Sequence, residues 1–110
     1  MQTRYQIEFD LLTPWGEPII LFVYGDELGI QIVDEGIYSE FIHHFQEKNR
    51  IESIAMLFQS GIHVTPDGLY GRFPLVLSYI IEHPESLQLI AETIQRAIWC
   101  GDMQIDQDIS

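Results

Sequence analysis

The chain has 110 residues, 46% of them apolar, and 17 acids against five bases give it a net charge of −12. That length suits one domain and that apolar share suits a packed core, so an unfolded chain is excluded. So few Lys and Arg leave no cation cluster for gripping nucleic-acid phosphates or a bare anionic membrane.

Tyr5, Ile7, Phe9 and Leu11 alternate with Arg4, Gln6, Glu8 and Asp10. A period of two predicts a strand with one buried face. The same alternation lacks the apolar core of a secretory signal. "TPWGEP" (13–18) supplies turn residues, and "IILFVY" (19–24), apolar on both faces, predicts a central strand. It is also the longest apolar run, far below the ~20 residues of a membrane helix. "GDELG" (25–29) turns the chain into a third alternating run at Leu28, Ile30 and Ile32, which completes a three-stranded antiparallel meander.

From Ile37 the period becomes helical. Ile37, Tyr38, Phe41, Ile42 and Phe45 form one apolar stripe, and Ile51, Ile54, Ala55 and Phe58 form a second in a new phase, so two short helices are expected. "VTPDGLYGRF" (64–73) reads as a loop around a Pro66-Asp67-Gly68 turn. "PLVLSYII" (74–81) is apolar nearly all round and is expected to be a deeply buried helix interrupted by Pro84. The last helix carries Leu87, Ile90, Ala91, Ile94, Ala97 and Ile98 on one face, with Gly101 as its stop. The expectation is a single α+β domain over residues 1–102, a three-stranded meander followed by three to four helices packed on one face, with a frayed acidic tail over 103–110.

Within "YSEFIHHFQEKNR" (38–50), successive residues point about 100° apart on a helix. His43 then faces away from the apolar stripe and His44 lies on its border, so the two do not chelate one ion. Glu40 and His43 have the E-x-x-H spacing of bundled di-iron sites, but the chain holds no second such pair. The pair reads as one wet helix face, and no metal or cofactor is expected.

Cys100 stands alone, which excludes an intrachain disulfide and fits a reducing, cytoplasmic setting. A helix C-terminus disfavours a thiolate, so the thiol is expected to be inert. No serine lies in a nucleophile elbow, "GLYG" lacks the spacing and the Lys of a phosphate loop, and catalysis is not expected.

Two aromatic loops and the distribution of charge remain. Trp15 stands beside Glu17, and Tyr70 beside Arg72 and Phe73; Trp, Tyr and Arg dominate interface energetics. The charge is −6 over residues 1–35, −1 over 36–72 and −5 over 73–110. Glu17 is expected at one end of the sheet and Asp26 and Glu27 at the other, near Arg4. The surface set is Trp15, Glu17, Asp26, Glu27, Asp34, Glu35, Tyr70 and Arg72. These features suggest a non-enzymatic inhibitor of the immunity or antitoxin type that neutralises a basic protein such as a toxin or nuclease. A nucleic-acid mimic is a close variant. The alternative is an adaptor or accessory subunit, including a homodimer joined at a strand edge.

Overall fold

The computed structural model describes the backbone of residues 4–109 and the side chains of residues 4–100. Its elements are β1 (Arg4–Leu12), β2 (Pro18–Asp26), β3 (Gly29–Val33), α1 (Ile37–His43), α2 (Glu47–Gln59), β4 (Ile62–Thr65), β5 (Gly68–Phe73), α3 (Leu77–Glu82), a 3₁₀ turn (Pro84–Leu87) and α4 (Gln88–Ile109). The strands form one antiparallel sheet in the order β1-β2-β3-β5-β4. The class is α+β, as the sequence indicates. The meander is real but forms only three of the five described strands.

The loop expected over 64–73 is a hairpin. Val64 pairs with Leu69 and Ile62 with Gly71. Thr65 organises the turn, its Oγ1 accepting from the amides of Asp67 and Gly68 and donating to the Gly68 carbonyl. The glycines that suggested a loop serve the sheet: a Cβ at Gly71 would lie 2.6 Å from Ile62 Cδ1.

One face of the sheet, with Ile7, Phe9, Ile19, Leu21, Val23, Ile30 and Ile32, shares a core with Tyr38 and Ile42 of α1, Leu57 of α2, and Ala91, Ile94, Ala97 and Ile98 of α4. The other face carries Gln6, Glu8, Ile20, Tyr24, Gln31, Val33 and Tyr70, with the Arg4 guanidinium 4.6 Å above the Phe22 ring. α4 is tied to the end of β1, because Trp99 Nε1 and Gln95 Nε2 both donate to the Leu12 carbonyl, at 2.8 and 3.0 Å.

Three helical expectations need correction. The inward side of α2 carries Asn49, Ser53 and Leu57, while Ile51, Ala55 and Phe58 are exposed. Close approach to α4 favours small and polar groups there: Ser53 Oγ donates to the Ala97 carbonyl at 2.8 Å. The 74–81 segment is not deeply buried. Its helix is six residues long, and of its side chains only Ile80 is buried. α4 continues past Gly101 to Ile109. A helical glycine costs about 1 kcal/mol relative to alanine, which is not enough to stop a long helix.

Candidate partner-binding surfaces

The predicted surface residues divide between the two ends of the sheet. At the first end, the β1–β2 connection is closed by Thr13, whose amide donates to the Glu17 carbonyl and whose hydroxyl accepts from the Glu17 amide. This turn places Trp15 against α1, with ring centroids 4.9 Å from Phe41 and 6.4 Å from Tyr38. The indole caps the core edge and remains 40% exposed. Its Nε1 donates to Glu17 Oε2 at 3.1 Å, which fixes the carboxylate beside the ring. Trp15, Ile37, Glu40, Phe41 and His44 line an open depression of about 300 Å³.

Asp34 and Glu35 follow β3 at this same end, but they differ sharply. Asp34 is fully buried, so it does not belong to the surface set. Its Oδ1 accepts from the amides of Gly36 and Leu69, and its Oδ2 from those of Tyr38 and Ser39, at 2.8–2.9 Å. The carboxylate thus caps α1 and ties it to the start of β5, since the first amides of a helix lack intrahelical acceptors. Glu35 is exposed and pairs with Arg4. That hydrogen bond and charge raise the Arg4 pKa above its usual value. Arg4 was expected near Asp26 and Glu27. Instead its side chain crosses over Phe22 toward Glu35.

At the opposite end, the turn between β2 and β3 is held by Asp26, whose Oδ1 accepts from the Leu28 amide at 2.8 Å. Asp26 Oδ2 accepts from both terminal nitrogens of Arg72, at 2.9 and 2.6 Å. This turn and residues Pro74–Ser78 enclose a depression of about 530 Å³, with Glu27 on its wall. Leu28 and Val76 line it and are 76% and 66% exposed. Tyr79 and Ile81 add further exposed apolar area nearby.

Tyr70 lies toward the Glu35 end, where it lines a shallow depression with Glu35 and Asp67. It pairs with Val33 and is half-buried on the helix-free face. A third apolar surface is the outer side of α2, where the Phe58 ring meets His63 at 5.5 Å.

Both histidines of the pair are exposed. His43 Nε2 lies 3.3 Å from the Thr65 carbonyl, and His44 borders the Trp15 depression. Among the described residues no group of three His, Cys, Asp or Glu is arranged to hold a metal ion. The hydroxyls of Ser39, Ser53 and Ser86 donate to backbone carbonyls. Burial, followed by the Glu52 carboxylate 3.8 Å away, pushes the Cys100 thiol above its usual pKa.

Leu28, Val76 and Tyr79 were not in the surface set expected from sequence, and neither were Ile37, Glu40, Phe41 and His44, although Glu40 and His44 were read as part of a wet helix face. The available signal was the 74–81 stretch itself. A short segment apolar nearly all round presents more apolar sides than a single core contact covers, and of the six helical residues only Ile80 is buried.

No described helix is long and apolar enough to cross a membrane. The fold and its surfaces together define an acidic α+β module with helices on one side of an antiparallel sheet and apolar side chains displayed at both sheet ends. In comparisons with known proteins, no family model, no curated protein and no solved structure matches the chain.

Proposed function

We propose that this chain is a non-enzymatic binding protein, an inhibitor of the immunity or antitoxin type, and that it docks on a basic protein through the Asp26 end of its sheet. The observation that carries this reading is the depression where Leu28 and Val76 stand exposed beside Glu27 and the Asp26–Arg72 pair. Large apolar side chains grouped with acids suit a hydrophobic contact with a charged rim. The net charge of −12 adds long-range attraction for a cationic partner. In such a complex the charge raises the association rate, and the desolvated apolar contact sets the dissociation rate.

Affinity capture with the full chain, followed by stopped-flow kinetics on the captured protein, tests this reading. The expected partner is basic, and association slows at least tenfold between 20 and 200 mM salt (about the size of effect that steering produces). Glu27→Lys should slow association, and Val76→Ser should speed dissociation, while the melting temperature stays unchanged. Glu27 is the cleaner position for charge reversal, because Asp26 also holds the turn. An acidic partner, or rates indifferent to salt, would turn the assignment toward the adaptor reading.

The adaptor reading has one structural feature in its favour. Among the described residues β1 pairs only with β2, which leaves one edge of a nine-residue strand without a partner strand. Glu8 and Asp10 on that strand are exposed and of like charge, which discourages edge-to-edge pairing. Sedimentation at high protein concentration distinguishes the two: a stable dimer that Glu8→Lys alters would favour the adaptor.

A further inference from the structure

The Trp15 depression lies at the far end of the sheet from the proposed docking surface, and its chemistry is of a different kind. Its walls are an indole 40% exposed, the Phe41 ring packed edge-on against that indole, and the exposed side chain of Ile37. Glu40 lines it, and Glu17 is held at the indole edge by the Trp15 N–H. Among the described residues no Lys or Arg lines it, and the His44 imidazole completes its rim.

We propose that this depression is a receptor for one guanidinium group, supplied by an exposed arginine of a peptide or protein. A guanidinium is planar and weakly hydrated, stacks on an aromatic face, and donates its N–H fork to carboxylates at the ring edge. Trp15 supplies the face and Glu17 and Glu40 supply the acceptors. The Ile37 side chain gives the arginine methylenes an apolar wall. The depression is near the lower end of the size range for small-ligand sites, so one side chain suits it better than a folded metabolite. Two structural details pre-organise the site. The hydrogen bond from Trp15 to Glu17 orients the carboxylate before binding, and the Phe41 contact fixes the indole plane. The interaction is a specific contact of the Trp15 end and does not depend on the Asp26 end being an interface.

The test is a titration of the ¹⁵N-labelled full chain with N-acetyl-arginine amide, followed by NMR. Trp15→Phe assigns the indole resonance and separates it from that of Trp99. The expected result is a saturable shift of the Trp15 indole and of the amides around Glu40 and His44, with a dissociation constant of about 1 mM, typical for a ligand of this size. N-acetyl-citrulline amide, the uncharged isostere, should bind at least fivefold more weakly. Glu40→Gln should weaken arginine binding several-fold while leaving the spectrum elsewhere intact. Glu27→Lys should leave the arginine titration unchanged, which keeps this inference separate from the docking proposal. Equal shifts with citrulline, shifts confined to the Asp26 end, or no shift at all would each overturn the proposal.

Discussion

Asp34 shows how one side chain determines local architecture. Its two oxygens serve four amides drawn from the start of α1 and the start of β5. Asparagine is nearly the same shape, but its NH₂ would face amide donors. Asp34→Asn should therefore cost about 2–4 kcal/mol, because buried donors lose their acceptor; urea denaturation measures it. Gly68 is constrained by the same group. At φ +152° a Cβ there would stand 2.7 Å from Asp34 Oδ1, so Gly68→Ala should destabilise the fold by well over 1 kcal/mol. Tyr38 contributes through its proton. Burial raises its phenol above the usual value of 10.0, with further upward contributions from Asp34 and Glu17, against the lowering effect of the Ile20 amide. The folded chain keeps this proton where the unfolded chain releases it. Its contribution to stability is thus complete below about pH 10 and is lost as pH rises beyond it. Tyr38→Phe should remove that component of the alkaline loss, read as a shallower decline of the urea midpoint, while leaving the Ile20 amide without its acceptor at all pH values.

Among the elements, α3 and α2 define the exposed apolar surface. Ile80 is the buried side chain of α3, and Ile80→Ala should cost about 2–4 kcal/mol. Val76 and Tyr79 flank it but face solvent. Val76→Ser and Tyr79→Ser should stay within about 0.5 kcal/mol of the parent, as exposed substitutions do. A large loss at either position would show that the segment is packed more deeply than its exposure indicates. In α2 Ile51, Ala55 and Phe58 of the apolar stripe face outward while Ile54 stays packed at the core edge, because Ser53 lies against the Ala97 backbone and a larger group would push α2 from α4. Ser53→Leu should accordingly destabilise far more than Phe58→Ser, a reversal of what the hydrophobic pattern alone predicts.

At the scale of the whole molecule, charge is the dominant property. Acids face solvent at both sheet ends, along α1 and α2, and around the 3₁₀ turn, while the described salt bridges pair Glu35 with Arg4, Asp26 with Arg72 and Glu85 with His83. Self-repulsion of this kind weakens the folded state and is screened over about 8 Å at physiological salt. The melting temperature should rise by a few degrees between 10 and 500 mM NaCl, measured by calorimetry. A falling or flat profile would mean that the two arginine pairs contribute more than the repulsion does.

The amino-acid sequence by itself determined the α+β class, the first three strands and the core face of α4, because strong periodicity reports one-sided burial wherever an element has a single packed face. It also placed Trp15 with Glu17 at one end of the sheet and Asp26 with Glu27 at the other, since short turns leave little freedom in a meander. Only the tertiary structure decided the rest. Glycine-rich β5 resembled a loop because its glycines answer to neighbours distant in sequence. The phase of α2 depended on how closely α4 approaches. Asp34 looked like one more surface acid, and its burial became visible only once β5 had supplied the Leu69 amide. Hydrophobicity ranks which residues favour burial, but long-range packing decides which of them find a partner, and those left exposed here form the candidate binding surface.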